Sequence, residues 1–384
     1  MRSAVYDAAC AHIRDTDALT LEHMCAATRI PAPSGHEAER ARWLADRLRE
    51  LDLSPSTDRV GNVHAVTPSS GDGGHVVVAA HLDTVFDAAT DVAVVRDGGR
   101  LSGPGIADNG RGLAGMLAIA RALRAVDWPT YRPVAFVATV GEEGRGDLRG
   151  VKQYMHENAD HTHAFIALDG AGSARIINAG VGSRRLLVTY RSAGGHSWSD
   201  HGVPNAIHAA GRAIAALASI PLPAQPRTTL NVGRIGGGTS VNAIPADAWF
   251  ELDLRSEDVA ALRDLEARAR EAVEHARAAD PRAAELRIEV EVIGDRPAGR
   301  TAETDALVQA AVHATRRIGL TPELASSSTD ANVPMALGIP AIAIGAGGDS
   351  GGTHTMREWY DNRGGAAGLE RALAIVLAAA GFND

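Results

Sequence analysis

The chain has 384 residues, a length that predicts two or three domains able to bury apolar cores without disulfides or structural metal. It contains 38 Lys and Arg residues against 47 Asp and Glu residues, so its formal net charge is -9. This balance argues against a surface that follows nucleic acid phosphates, and we expect no nucleic acid partner. Cys10 and Cys25 match no disulfide or metal-binding spacing, as is typical of proteins in the reducing cytoplasm.

The sequence shows no pattern of a targeting or membrane-spanning segment. Asp7 interrupts the start of the chain before an apolar stretch could form, so we expect no signal peptide. The longest stretch without charge, 331–348, is broken by prolines and glycines, and the apolar stretch 372–382 is too short to span a bilayer. These features predict a cytoplasmic protein with no membrane partner.

Helices and strands are predicted to alternate along the first part of the chain. Residues 34–37, Ser-Gly-His-Glu, have the pattern of a capping box that opens a helix, and leucines follow with helical spacing. Short apolar runs rich in Val, Ile or Phe predict buried strands at 75–80, 133–140, 163–168 and 339–344. Helices predicted at 110–126 and 302–318 lie between strands, so the order indicates an α/β fold with a mostly parallel sheet.

The pattern changes between residues 183 and 294. Strands are predicted at 184–191, 228–235, 248–255 and 286–293, with helices at 203–219 and 257–278. This βαββαβ order is that of a ferredoxin-like unit. We therefore expect a catalytic domain made of residues 1–182 and 295–384, interrupted by an inserted domain at 183–294.

Side chains that commonly bind metals follow the predicted strands or lie in glycine-rich loops. They are His81, Asp83, Asp108, Glu142, Glu143, Asp169 and His354. Ligands of open α/β sheets gather at the carboxyl ends of the strands, so these side chains are expected to converge. Converging carboxylates repel one another unless a cation neutralises them, and His, Asp and Glu together suit zinc or a similar ion. Their number favours two ions and a spare Glu for proton transfer, as in a two-metal hydrolase.

With these residues and the motifs around them, the sequence resembles the dizinc metallopeptidase family that includes peptidase T, carboxypeptidase G and acetylornithine deacetylase. The matching motifs follow one another along most of the chain: VVVAAHLDTV, GPGIADNGRGLAGMLA, VATVGEEGRGDLRG, GGHSW, SVNAIPADAWFELDLRS and SSTDANVPMALGIPAIAIGAGGDSGGTHT. The resemblance implies a zinc-peptidase-like catalytic domain. It also implies that the inserted domain is a lid that joins two chains into a homodimer.

The resemblance further implies two Zn²⁺ ions per chain, with Co²⁺ or Mn²⁺ as alternatives. The implied ligands are His81, Asp108 and Asp169 for one ion, and Asp108, Glu143 and His354 for the other. Asp108 would bridge the two ions, and Asp83 would orient His81. The bond between Asp108 and Asn109 is often cis in this family.

Catalytic and substrate-binding roles are also implied by the resemblance. Glu142 would act as the general base for a zinc-bridged hydroxide that attacks an amide carbonyl. His196 would steady the developing oxyanion, and in this family the equivalent histidine comes from the partner subunit. Asn242 and Arg255 correspond to substrate-binding positions, although Arg255 could equally form a salt bridge within its own strand.

The resemblance is strongest to peptidase T-like aminopeptidases, so the expected substrate is a short peptide. Asp, rather than Glu, at position 169 accompanies aminopeptidases and dipeptidases in this family. The stretch between His81 and Asp108 is shorter than in peptidase T, so an N-acyl amino acid deacylase is the alternative.

Two readings from other classes compete with metal-dependent hydrolysis. Gly348-Asp-Ser350-Gly-Gly352 fits the G-x-S-x-G pattern of serine hydrolases, but no helix is predicted directly after Ser350, as that mechanism requires. A dinucleotide-binding module is suggested by the many glycines. It is disfavoured because Asp108 stands where the third glycine of a G-x-G-x-x-G motif would fall.

Overall fold

The computed structural model describes residues 2–69, 71 and 73–382. The chain forms two compact units: one contains the residues up to Gly180 and those from Gly299 onward, and the other is Val181–Ala298. The sequence places the inserted domain at 183–294, a few residues inside these bounds. No helix in the described ranges is long and apolar enough to cross a lipid bilayer.

The described part of the chain contains ten α-helices and nineteen strands. The helices are α1 (Arg2–Asp15), α2 (Asp17–Thr28), α3 (Ala38–Arg49), α4 (Gly110–Ala125), α5 (Arg149–Asn158), α6 (Ala206–Ala218), α7 (Val259–Ala278), α8 (Ala306–Arg317), α9 (Asn332–Ala336) and α10 (Gly365–Ala380). The strands are β1 (Ser56–Thr57), β2 (Val63–Val66), β3 (His75–His81), β4 (Val95–Asp97), β5 (Arg100–Ser102), β6 (Val134–Thr139), β7 (Thr162–Leu168), β8 (Arg175–Gly180), β9 (Gly182–Arg191), β10 (Gly195–His196), β11 (Thr228–Gly237), β12 (Ala243–Ile244), β13 (Asp247–Ser256), β14 (Arg287–Arg296), β15 (Gly299–Arg300), β16 (Glu323–Ser327), β17 (Ala341–Ile344), β18 (Asp349–Gly351) and β19 (Trp359–Asp361).

A nine-stranded mixed sheet forms the centre of the first unit. Its strand order is β1-β2-β6-β3-β7-β17-β8-β15, with β16 paired to β8. Within it β6, β3, β7 and β17 are parallel neighbours, which confirms the predicted α/β class and mostly parallel sheet core. These four strands are the ones predicted from the apolar runs in the sequence.

The central strands are buried on both faces, which explains why their sequences are continuously apolar. Along β3, Val76 and Val78 face a cluster that includes α4 and α10, whereas Val77 and Ala79 face a cluster that includes α5 and α9. Alternate residues of a strand point to opposite faces, so every residue of this run contacts one apolar layer. The layers leave the carboxyl ends of the strands open for polar residues.

The second unit is a four-stranded antiparallel sheet covered by two helices. Its strand order is β11-β13-β9-β14, and the chain order of its main elements is βαββαβ, as predicted for a ferredoxin-like insert. Buried and partly exposed residues alternate along β13, because one face of the sheet packs against α6 and α7.

The helix start predicted at Ser34 is wrong. The helix α3 begins at Ala38, and no side chain caps its first turn. The Ser34 hydroxyl donates instead to Asp83 Oδ2, and Glu37 Oε1 accepts a hydrogen bond from the backbone N–H of Gly141 at 3.0 Å. Both side chains of the predicted capping box therefore bind residues that are distant in sequence and close to the candidate site.

Candidate metal centre and active site

Polar residues from three parallel strands meet at one edge of the large sheet. His81 is the last residue of β3, Glu142 and Glu143 follow β6, and Asp169 follows β7. Because these strands are parallel neighbours, their carboxyl ends lie side by side. Loops in other parts of the first unit add Asp108 and His354 to the same place.

The first group of potential metal ligands consists of His81, Asp108 and Asp169, whose ligand atoms all lie within 4.8 Å of one another. His81 is buried, and its Nε2 lies 2.9 Å from Asp108 Oδ1 and 4.0 Å from Asp169 Oδ1. Its Nδ1 lies 3.0 Å from the backbone carbonyl of Asp83. That contact fixes the ring so that Nε2 faces the carboxylates.

The second group consists of Asp108, Glu143 and His354. His354 Nε2 lies 3.1 Å from Asp108 Oδ2 and 2.9 Å from Glu143 Oε1. Asp108 therefore offers Oδ1 to the first group and Oδ2 to the second. The backbone of His354 is left-handed, with φ of 63°, a conformation that is uncommon for residues with a side chain and is often found at functional sites.

Glu358 holds the loop that carries Asp108, although no sequence motif includes Glu358. Its Oε1 accepts hydrogen bonds from the backbone N–H groups of Asp108 at 2.9 Å and Ala107 at 2.8 Å, and its Oε2 accepts one from Gly105 at 2.9 Å. Burial raises the pKa of Glu358, although these three donors favour the charged carboxylate. No local sequence pattern could reveal this contact, because 250 residues separate Glu358 from Asp108.

Asn109 connects the same loop to the end of β7. Its Oδ1 accepts hydrogen bonds from the backbone N–H groups of Gly112 at 3.0 Å and Gly170 at 3.2 Å, and its Nδ2 donates to the Leu168 carbonyl at 2.9 Å. Asn109 thereby also caps α4. The peptide bond between Asp108 and Asn109 is cis, as the family resemblance implies.

Asp83 contacts the Glu142–Glu143 segment more closely than it contacts the His81 side chain. Its carboxylate accepts hydrogen bonds from the backbone N–H groups of Glu142 and Glu143, each at 2.9 Å, and from the Ser34 hydroxyl. Its Oδ1 lies 3.6 Å from His81 Nδ1. Burial alone would raise the pKa of Asp83, but His81 and these donors lower it to about 2. Asp83 therefore stays charged and holds both glutamates by their backbone.

When no cation is bound, the close carboxylates raise the pKa values of His354 and Asp169, so these two side chains hold protons more tightly. Hydrogen bonds to Asp108 and Glu143 raise the pKa of His354 to about 10. Burial and the charge of Asp108 raise the pKa of Asp169 to about 7. Burial would raise the pKa of Asp108 as well, but its hydrogen bonds to His354 and His81 hold it well below the usual range.

Glu142 lies beside both groups, and its carboxylate forms a third close set with His81 and Glu143. Its side chain is buried, and its backbone is fixed by Asp83. This position suits a proton acceptor next to a metal, and it also suits a further carboxylate ligand.

The chemistry of the donor set fits divalent metal ions. Imidazole nitrogens and carboxylate oxygens are common ligands of zinc, and each of the two groups supplies three of them. A cation in each group would neutralise the mutual repulsion of Asp108, Asp169 and Glu143. The residues present could therefore hold two ions that share Asp108.

The second unit places His196 next to Asn242. His196 is exposed on β10, which pairs with β12, and the Asn242 carbonyl accepts a hydrogen bond from the Ser197 N–H at 3.0 Å. The Nδ1 of His196 accepts a hydrogen bond from the Trp198 N–H at 3.2 Å. Nδ1 is thus unprotonated in the neutral ring, and Nε2 carries the proton that could be donated to an oxyanion.

The same unit does not bring Arg255 to His196. Arg255 lies near the end of β13, about 26 Å along the extended strand from Asp247 at its start, whereas β12, which pairs with His196, directly precedes that start. The Nε of Arg255 donates to Asp253 Oδ2 at 2.7 Å, so Arg255 forms the salt bridge within its own strand that was the alternative to substrate binding. This ion pair accounts for Arg255 without a substrate.

The Ser350 segment lacks the geometry of a serine nucleophile. Ser350 lies in the three-residue strand β18, and the next elements along the chain are β19 and then α10. A nucleophile elbow requires a turn from a strand directly into a helix.

Comparisons with known proteins establish the family. A sequence profile of Peptidase family M20/M25/M40 matches residues 77–380, so the chain belongs to this family, and the resemblance read from the motifs is confirmed. The chain is 31% identical over 255 residues to succinyl-diaminopimelate desuccinylase of Corynebacterium glutamicum, a match that covers 64% of this chain and 66% of that enzyme.

Solved structures agree with the fold. Aminopeptidase PepT from Bacillus cereus is 25% identical, with a TM-score of 0.76 over 94% of this chain and 98% of that chain. The YXEP protein of Bacillus subtilis, a dinuclear metal-binding peptidase of the M20 family, is 17% identical, with a TM-score of 0.70 over 96% of this chain and 99% of that chain.

Proposed function

We propose that this M20-family protein is a metal-dependent aminopeptidase that cleaves short peptides. The observation that carries the proposal is the pair of ligand groups that share Asp108, with Glu142 beside them. The aminopeptidase assignment is supported by the likeness to PepT and by the aspartate at position 169.

Two metal ions would be held by the two groups, with zinc as the expected metal. His81, Asp108 and Asp169 would bind one ion, and Asp108, Glu143 and His354 the other. When bound, divalent ions polarise the scissile carbonyl and make water more acidic. The family relationship to a dinuclear metal-binding peptidase supports this arrangement.

Glu142 would accept the proton of the attacking water and later deliver it to the leaving nitrogen. Its buried carboxylate is close to the ligand atoms, and its backbone is anchored by Asp83. A base fixed in this way needs little rearrangement before it transfers a proton. Asp83 thereby acts on the reaction through the position of Glu142.

The inserted domain would complete the site as a dimerisation lid. His196 would donate a hydrogen bond from Nε2 to the oxyanion that forms on a substrate in the active site of a partner subunit. Asn242, beside His196 in the same unit, would contact the substrate. Arg255 would contribute only if a substrate carboxylate competes with Asp253 for its guanidinium, because these two residues are paired.

An N-acyl amino acid deacylase is the second candidate, because the desuccinylase of Corynebacterium glutamicum is 31% identical over the matched segment. The two candidates share the site and the bond type but differ at the acyl side of that bond. An aminopeptidase requires a free amine there, whereas a deacylase accepts an acyl group without one.

A hydrolysis panel tests this proposal. Di- and tripeptides would be compared with their N-acetylated forms and with N-succinyl amino acids, using protein loaded with zinc, cobalt or manganese. Cleavage restricted to free-amine peptides is expected. Cleavage restricted to N-acyl amino acids would favour the deacylase, and no metal-dependent cleavage of any amide would refute both. Resistance to a serine-directed phosphonate serves as the control for Ser350.

A further inference from the structure

A cavity of about 140 Å³ adjoins the candidate metal centre within the first unit. Asp169, a member of the first ligand group, forms part of its wall. Arg175, Ser327 and Thr329 also line it, together with apolar residues such as Ile177. Since Asp169 belongs both to the first ligand group and to the cavity wall, a substrate that reacts at the metal centre could extend a small group into this cavity.

Arg175 is an exposed residue that brings a positive charge to the rim of the cavity. It begins β8 and lies beside Glu323 of β16 in the strand register, yet within the described ranges no carboxylate lies within ion-pair distance of its guanidinium. Its backbone is held by strand pairing and by Arg371, whose Nη2 donates to the Arg175 carbonyl at 3.0 Å. A guanidinium on a fixed backbone can bind a carboxylate through two parallel hydrogen bonds.

The hydroxyl groups of the cavity can add to the same interaction. Thr329 is buried, and its Oγ1 accepts a hydrogen bond from the Ala331 N–H at 3.2 Å, so the hydroxyl proton is available for donation. The side-chain hydroxyl of Ser327 forms no hydrogen bond with another described residue. The negative charge of Asp169 would repel an anion in this cavity. A metal ion bound to the first ligand group would neutralise that charge.

We propose that this cavity binds a carboxylate of a substrate side chain or acyl group, in addition to the α-carboxylate that every peptide carries, and that Arg175 selects substrates with this additional carboxylate. The inference rests on the proposed amide hydrolase function and narrows its substrate class. Three sources of the carboxylate share this chemistry: an acidic N-terminal residue, an acidic residue on the leaving side, and a dicarboxylic acyl group such as succinyl.

Matched substrates that differ only in charge or in the acyl group test the proposal. Initial rates would be measured for Glu-Ala against Gln-Ala, Ala-Glu against Ala-Gln, and N-succinyl-alanine against N-acetyl-alanine. The proteins compared are wild type, Arg175→Gln, Arg175→Lys and a control, Arg42→Gln, which removes an exposed cation from α3. In at least one pair, the substrate with the additional carboxylate should be preferred by about 10-fold or more in kcat/KM, the scale of a charged hydrogen bond.

Arg175→Gln should abolish that preference and leave the rate unchanged with the partner substrate that lacks the additional carboxylate. Arg175→Lys should keep part of the preference, and Arg42→Gln should keep all of it. The pair of substrates that responds identifies the position of the carboxylate. If no pair is discriminated, or if Arg175→Gln slows both members of a pair equally, the cavity does not select a carboxylate.

A binding measurement separates this result from a failure of the proposed function. If the metal-loaded protein cleaves none of these compounds, the proposed function fails. The affinity of each compound for wild type and Arg175→Gln would then be measured by titration calorimetry. Tighter binding of a carboxylate compound that is lost in Arg175→Gln would support the subsite without the activity. Equal affinities in the two proteins would refute it.

Discussion

Glu358 Oε1 lies 2.9 Å from the backbone nitrogen of Asp108, so a side chain from the segment that follows His354 fixes the loop carrying the shared carboxylate. Glu358 is fully buried, and its two oxygens accept hydrogen bonds from three backbone N–H groups of that loop. Protein contacts therefore hold Asp108 near His354. Both ligand groups depend on one buried carboxylate that contacts the backbone of Asp108 and is not itself a member of either group.

Glu358→Gln should weaken metal binding without changing a ligand. The amide NH₂ would face at least one backbone donor, so an acceptor is lost inside the protein. We expect the free energy of unfolding of the metal-free protein to fall by about 1–3 kcal/mol. The Kd for zinc should rise by about 10-fold or more, as for other residues that support ligands. Denaturant unfolding and a chelator competition assay measure the two effects. Glu303→Gln, at an exposed position, is the control, and an unchanged zinc Kd in Glu358→Gln would be evidence against this role.

Glu142→Gln and Glu143→Gln should fail in different ways. Glu142→Gln removes the proton acceptor, so kcat should fall by about 10²-fold to 10⁴-fold while both metal ions remain bound. Glu143→Gln replaces a ligand and should lower the metal content. Elemental analysis of each variant, together with its turnover rate, separates the roles. Equal metal loss in the two variants would show that Glu142 is itself a ligand, as its place in the third group allows.

Metal affinity should decrease as the pH falls. Without metal, the raised pKa of His354, about 10, keeps that ring protonated at neutral pH, and Asp169, with a pKa of about 7, takes up a proton below pH 7. A metal ion must displace these protons, so log Kd should change by about 1 to 2 per pH unit between pH 8 and pH 6. Calorimetric titrations with zinc in buffers of different ionisation enthalpy would count the released protons. An affinity that does not vary with pH would contradict the ligand assignment.

A shared site between subunits predicts complementation between two inactive variants. His196→Ala and Glu142→Ala should each be nearly inactive alone. In a heterodimer the His196→Ala chain keeps Glu142 and receives His196 from its partner, so one site is complete. Random mixing should restore roughly a quarter of wild-type activity, because half of the dimers have one working site of two. If activity stays at the level of the separate variants after verified subunit exchange, His196 does not act across a dimer.

The sequence predicts the fold because the buried strands are encoded locally. The runs that form β3, β6, β7 and β17 are short and apolar, and polar residues lie at or shortly after the carboxyl ends of β3, β6 and β7. The parallel order then brings His81, Glu142 and Asp169 to one edge of the sheet. The βαββαβ insert is likewise visible as a change of pattern along the chain.

Long-range contacts explain what the sequence could not reveal. Ser34 has the local pattern of a helix cap, but its hydroxyl donates to Asp83, 49 residues away. Glu358 belongs to no recognisable sequence motif, because its role depends on the contact between two loops that are far apart in sequence. The unpaired guanidinium of Arg175 also becomes apparent only when the walls of its cavity are known.

The most direct test of a two-metal amide hydrolase is the rate of hydrolysis of a free-amine dipeptide during titration of metal-free protein with zinc. The rate should be near zero without metal, rise with added zinc and reach a plateau at about two equivalents per chain, because Asp108 offers one oxygen to each ligand group. A rate that is independent of zinc, or a plateau at one equivalent with no second ion bound, would contradict the shared role of Asp108.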